Sequence, residues 1–286
     1  MALCEEPSDV ESRQLLGIDS TEIMKRRLRF GTGARGIERM EAAFTGETFA
    51  PHSHDIYAIG VTLKGVQQFR YRGARRHCLV GEGHVLHPDE LHDGAPGTAE
   101  GFGYRILYID PALIQEAVGG KILPFVLDPI IPAKDMLSLA SRWLSDIDSE
   151  VGEIERLELV LEVTQVLQKH SRLSSRSFRP LALTQLNKLR ELMIADPITQ
   201  HSLEEFERIS GLDRWTIARQ FRAAFGASPR HFRTMRQLDL ARAAIRTGMP
   251  LAEVAQVAGF SDQSHLTRMF KRAYGFTPSK WLALQV

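Results

Sequence analysis

An internal repeat constrains this chain more than any other feature. Leu203-Glu-Glu-Phe206 followed by Ser210-Gly-Leu212 recurs 48 residues on as Leu251-Ala-Glu-Val254 followed by Ala258-Gly-Phe260. Past the turn the offset is 49: Ile217-Ala-Arg219-Gln-Phe221-Arg222 matches Leu266-Thr-Arg268-Met-Phe270-Lys271. Phe225-Gly226 and Pro229 match Tyr274-Gly275 and Pro278, and Phe232 matches Trp281. Each copy predicts two short helices around a turn. The first (about 203–209) stops at Gly211, a residue type that tolerates positive φ at a helix end. Asp213, and Ser261 or Asp262 in the second copy, can cap the next helix by accepting from its free N–H groups. Ile217, Phe221 and Phe225 recur at helical spacing and form a buried stripe, as do Leu266, Phe270 and Tyr274. Between the copies, 232–247 predicts one amphipathic linker helix with Met235, Leu238, Ala241 and Ile245 on its apolar face. The modules run over about 203–226 and 251–275.

The faces left exposed carry Trp215, Thr216, Arg219 and Arg222 in the first copy. In the second they carry Gln263, Ser264, His265, Thr267, Arg268 and Lys271. Arginine can grip the O6/N7 edge of guanine, glutamine can read adenine, and threonine or tryptophan can touch a thymine methyl. The expected base-contacting set is Trp215, Thr216, Arg219, Gln263, Ser264, His265, Thr267 and Arg268. Arg222, Lys271 and Arg272 lie further along and are expected at phosphates, which position without specifying. Two such helices on one chain would enter successive major grooves, so the site need not be palindromic.

The overall charge hides this. The chain carries 36 basic and 35 acidic residues, a net of +1. Residues 181–286 hold 15 basic and 9 acidic side chains, net +6, which leaves 21 and 26, net −5, for residues 1–180. A polar stretch, 171–180, separates the two parts and predicts a linker. The asymmetry points to a nucleic-acid contact in the basic part. It also suggests that the acidic part shields the basic reading heads until a ligand arrives.

Residues 181–284, and Ala255-Gln-Val-Ala-Gly259-Phe260-Ser261-Asp-Gln-Ser-His265-Leu-Thr-Arg268-Met-Phe270-Lys271 within them, resemble the DNA-binding domain of the AraC/XylS family of bacterial transcription regulators. The resemblance implies double-stranded promoter DNA as partner and RNA polymerase as a further one, and the expected function is that of an effector-responsive transcription activator. Phe206 and Glu207 depart from the family pattern, which has a small residue there.

From 37 to 110 the chain shows short alternating or apolar runs broken by Gly, Pro and Asp, such as 56–63, 66–71 and 104–109. They predict a small antiparallel, cupin-like β-barrel. Six histidines (His52, His54, His77, His84, His87, His92) fall within about 40 residues of one another there. His52 and His54 share one strand face. Three readings stand open: a metal site, histidines satisfied within the barrel, or a small-molecule pocket lined by His52, His54, Tyr57 and His92. The expected occupant of this pocket is an unidentified effector, with no metal and no cofactor. The Glu that usually follows the His pair in metal-binding cupins is absent. Pro51-His-Ser-His-Asp-Ile-Tyr57 and Pro88-Asp-Glu-Leu-His92 also resemble the same family's sensor domain, which extends the likeness over most of the chain.

A helical hairpin, 133–148 and 153–169, closes this part. Met136, Ala140, Trp143 and Ile147 stripe its first helix; Ile154, Leu157, Val160, Leu161, Thr164 and Leu167 stripe its second. Those stripes must be buried, either on the barrel or, as the resemblance implies, in a homodimer. The predicted architecture is therefore α+β: an effector-sensing and dimerising domain (1–170), a linker (171–180) and an all-α DNA-binding domain (181–286). The alternative is a metal-dependent cupin enzyme with a helical accessory domain, motivated by His52, His54 and His92 alone. No nucleophile–base constellation supports it, and no enzyme activity is expected. At 43% apolar and 25% charged, with no apolar run of 18 residues, no basic-then-apolar leader and two cysteines, a cytoplasmic location is expected and no membrane partner.

Overall fold

A computed structural model describes residues 27–46, 49–171 and 180–285. Nearly all of the predicted linker lies outside these residues. The fold is mixed α+β, with an antiparallel β domain followed by a helical domain.

Among the described residues, ten strands make two sheets. The larger has the order β1 (Arg27–Phe30), β2 (Ile37–Phe44), β9 (Phe102–Ile109), β4 (Tyr57–Gly65), β7 (Gly83–Leu86) and β10 (Ile130–Ile131). The smaller runs β3 (Phe49–His52), β8 (His92–Pro96), β5 (Gln67–Tyr71) and β6 (Ala74–Cys78). Both sheets are antiparallel throughout. β1 precedes the region in which the sequence predicts strands.

Period-two alternation sorts the central strand β4. Tyr57, Ile59, Val61 and Leu63 face a helical layer, while Ala58 joins the barrel interior. That layer consists of α1 (Pro111–Ala117), α2 (Ala133–Leu139) and α3 (Glu153–His170). The predicted first hairpin helix is shorter than its apolar stripe. It passes into a π-helical turn, Ala140–Leu144, and ends there, although Ile147 beyond it is fully buried. Two buried arginines explain the stop. Arg105, paired with Glu41 at 2.7 Å, donates to the Leu144 and Ser145 carbonyls. Arg39, 1% exposed, donates to those of Trp143 and Asp146. Carbonyls freed by the broken helix are thus satisfied from the sheet.

On α3 the predicted single stripe divides. Val160, Thr164 and Leu167 are buried, but Ile154, Leu157 and Leu161 are 70%, 57% and 51% exposed. The burial that the periodicity asks for is only half provided within one chain.

The C-terminal domain contains α4 (Leu183–Ala195), α5 (Leu203–Ser210), α6 (Arg214–Phe225), α7 (Pro229–Arg246), α8 (Leu251–Val257), α9 (Gln263–Tyr274) and α10 (Pro278–Ala283). α5–α6 and α8–α9 are the repeated helix pairs, and α7 joins them. The two copies are packed differently. The first has a core of its own around Leu186, Leu189, Ile217, Phe221 and Phe232. The second shares one continuous core with the barrel, in which Phe270, Phe276 and Trp281 belong to the same cluster as Phe44, Phe102 and Leu28.

Candidate nucleic-acid interface and interdomain cavity

α6 and α9 are built alike. Asp213 accepts from the Trp215 and Thr216 N–H groups, and Asp262 accepts from that of His265. Each helix ends at a left-handed glycine, Gly226 at φ +76° and Gly275 at φ +76°. Each buries its apolar stripe: Ile217, Phe221 and Phe225; Leu266 and Phe270. The opposite faces stay open to solvent. Trp215, 71% exposed, stands out with Arg219, Gln263, Ser264 and Arg268, while Thr216, His265 and Thr267 are half-buried beside them. Lys271, Arg222 and Arg272 are exposed further along. All the residues expected at bases or phosphates therefore lie on two equivalent helix faces.

The C-terminal ends of both helices rest on the β domain. The Leu123 N–H donates to the Ala223 carbonyl at the end of α6. The Ser53 and Ala50 N–H groups donate to the Arg272 and Gly275 carbonyls at the end of α9. A helix leaves its last carbonyls without partners, and here the neighbouring domain supplies them. A Cβ on Gly226 would lie 2.5 Å from the Pro88 ring, so this approach also requires a glycine there.

Four ion pairs reinforce the contact, all with carboxylates on the β-domain side. Arg222 meets Asp89 at 2.6 Å, and Arg236 meets Asp55 at 3.0 Å. Arg242 meets Glu38 at 3.0 Å, and Arg190 meets Asp110. Of the cations expected to touch DNA, Arg222 is held, while Arg219 and Arg268 stay exposed. The other three arginines, on α4 and α7, fix the placement of the domain. None of these pairs is legible in the sequence, since the partners of Asp55 and Glu38 lie 181 and 204 residues away.

The predicted histidine pocket divides. His52, His54 and His92 come together, with ring centroids 4.2 Å (His52–His92) and 4.9 Å (His54–His92) apart. Their Nδ1 atoms lie 2.8, 2.9 and 2.9 Å from the carbonyls of Ala50, Ile56 and Glu90. That arrangement makes Nδ1 the protonated nitrogen and leaves the Nε2 lone pairs free. Burial is the main cause that pushes His54 and His92 down to about 3 and His52 well below the ordinary histidine value, so all three are neutral. Tyr57 is not with them. It points to the other face of its sheet, donates to the Pro124 carbonyl at 2.8 Å and packs on His87. Its odd-numbered position on β4 decides this. His84 is sealed in the barrel against Gly60, and His77 is exposed. Among the described residues no group of three or more His, Cys, Asp or Glu side chains is arranged to hold a metal ion.

His52 and His54 instead line a cavity of about 310 Å³ between the two domains. One wall is barrel: Phe30, Glu38, Met40, Asp55 and Tyr108. The other comes from α7, α9 and the segment after it: Met235, Arg236, Asp239, Arg242, Tyr274, Phe276 and Trp281. Sequence reasoning missed this second wall because its residues belong to the helical domain.

Residues 35–186 match the AraC-like ligand binding domain family, and residues 207–283 match a helix-turn-helix domain family. The helix-turn-helix-type transcriptional regulator RipA of Corynebacterium glutamicum is 33% identical over 96 residues, 34% of this chain and 29% of that protein. The virulence regulon transcriptional activator VirF of Yersinia enterocolitica is 28% identical over 167 residues, 58% of this chain and 61% of that protein. The chain thus spans less than two thirds of the length of either relative. The structure of ToxT from Vibrio cholerae with an unsaturated fatty acid bound has a TM-score of 0.62 at 14% identity, covering 87% of this chain and 95% of that one, a likeness of fold.

Proposed function

This chain belongs to the AraC family of DNA-binding transcription regulators, a non-enzymatic family, and from that premise we propose that it is an effector-responsive activator reading two successive major grooves. The observation that supports the two-groove reading is the pair of aspartate-capped helices, α6 and α9, with open hydrogen-bonding faces. On B-DNA such grooves recur about every 34 Å along one face. Activation rests on the likeness to relatives such as VirF, and RNA polymerase is the partner it requires. The units are a sensor domain to about residue 170 and a DNA-binding domain from about residue 181.

The effector enters the cavity between the domains, where His52 and His54 form part of the wall and His92 packs behind them. Its ligand acts by binding two domain arrangements unequally. The clamped arrangement, with both recognition helices held by their C-terminal ends, is one of them. Action in the cytoplasm belongs to this reading; no helix among the described residues is long and apolar enough to cross a membrane.

A gel shift with the DNA upstream of the chain's own gene tests the reading. Specific binding with a log–log salt slope of several units is expected, about 0.9 per phosphate neutralised. Binding equal to that of scrambled DNA refutes it.

A further inference from the structure

We infer that Arg214, the first residue of α6, is a further specificity-determining residue that reads a guanine, and that Glu207 on α5 is the residue that positions it. This rests on the reading of α6 as a helix that enters a major groove.

Glu207 holds Arg214 at both backbone and side chain. Its Oε1 accepts from the Arg214 backbone N–H at 2.8 Å and from Nε at 3.0 Å, and its Oε2 accepts from Nη2 at 2.9 Å. Glu204 stands further off, 3.5 Å from Nη2. The backbone bond satisfies one of the N–H groups that a helix leaves open at its start. The side-chain bonds occupy one edge of the guanidinium, Nε with Nη2. The opposite edge is formed by Nη1 and the second N–H of Nη2, and Nη1 has no hydrogen-bond partner among the described residues. The guanidinium carries its donors in a rigid fork, so a carboxylate can fix one edge while the other meets the O6/N7 pair of guanine. Recognition helices read base edges with their N-terminal residues, and Arg214 is the first of α6.

The two copies of the module differ at both partners together. The position matching Glu207, 48 residues on, is Ala255, and the position matching Arg214, 49 residues on, is Gln263. Ala255 is buried, whereas Gln263 is exposed and stands among the side chains expected at bases. A brace required by the packing of the motif would recur in both copies. This one occurs only where the reading position holds an arginine, and it accounts for an acid at a place where the family pattern has a small residue. A solvated ion pair of this kind adds little to stability. Its gain is orientation: a long, flexible side chain held before DNA arrives loses less freedom when the contact forms.

The test selects binding sites from a randomised DNA library with the full-length protein and two variants. The wild type should prefer guanine by about 5- to 150-fold at one position that Arg214→Gln shifts to adenine, the base glutamine reads, with the rest of the site unchanged. Glu207→Ala should lower the guanine preference at that position by about 2- to 12-fold and leave the other positions unmoved. Each variant carries the residue of the second copy, and an unaltered remainder of the selected site shows that it is folded. If Arg214→Gln leaves every base preference as in the wild type, or weakens all sequences alike, the assignment of Arg214 is overturned. An unchanged preference in Glu207→Ala overturns its positioning role. A wild type that selects no sequence removes the two-groove reading itself, whereas a selected site indifferent to Arg214→Gln removes the role of Arg214 alone.

Discussion

The Arg222 guanidinium, at the end of the first recognition helix, lies 2.6 Å from the Asp89 carboxylate of the sensor barrel. A side chain expected to meet a phosphate is thus paired with a carboxylate of its own chain. Asp89 has φ +59°, a left-handed conformation that asparagine also accepts, so Asp89→Asn removes the charge with little backbone cost. The Arg222 side chain is 57% exposed and that of Asp89 17%, so solvent screens the pair from the arginine side and it is worth about 0.2–1 kcal/mol. Asp89→Asn should therefore tighten effector-free DNA binding by up to about fivefold. A titration of labelled promoter DNA at fixed salt reads this directly, and a weaker complex would show that the pair does not oppose binding.

Arg219 and Arg268 occupy corresponding places on α6 and α9, and both are exposed. Replacing either by alanine should cost about 1–3 kcal/mol at the cognate site and little on scrambled sequence. Unfolding midpoints should stay unchanged, because neither side chain packs. Uniform weakening on every sequence would move these residues from base contacts to phosphate contacts.

Much of this was legible beforehand. The modules, their caps and their terminating glycines follow from local rules, because capping and positive φ act within a few residues. The docking of the modules on the barrel did not follow. Asp55 and Arg236, or Ala50 and Gly275, are ordinary residues whose meeting depends on tertiary placement. Tyr57 is expected in the histidine pocket, whereas strand alternation sends it to the opposite face.

Ile154, Leu157 and Leu161 form an exposed apolar strip along α3. Single surface apolar residues need no explanation, but three on one helical face point to a partner. A second copy of the chain, meeting the first across this strip, is the expected one. Leu157→Glu should turn a dimer into a monomer in size-exclusion chromatography with light scattering. An already monomeric wild type would sink the idea.

Acid should destabilise the folded chain. His52, His54 and His92 stay neutral when folded, with values lowered by burial, but take up protons near 6.5 when unfolded. The unfolded state then binds more protons, so stability is full above about pH 6.5 and falls as the pH drops towards 3, by about 1.4 kcal/mol per pH unit for each histidine. Asp55, pushed up to about 7 by burial against the opposing pull of Arg236, titrates in the opposite sense over the same window. The comparison is therefore between variants. His54→Asn should flatten the fall in denaturation free energy from pH 6.5 to 5 by about one proton's worth, and an unchanged slope would contradict a neutral buried His54.

The two reading heads are attached by different forces. The first has its own core and meets the sensor domain through ion pairs such as Arg222–Asp89, a backbone hydrogen bond from Leu123 and the packing of Ala112; the second is fused to the barrel through a common apolar core. Salt screens exposed charge pairs, while cooling weakens apolar burial. Ionic strength and temperature should therefore act on opposite ends of the same clamp. A rise in salt loosens the first head, a fall in temperature loosens the second, and each head acquires its own environmental sensitivity before any ligand is bound.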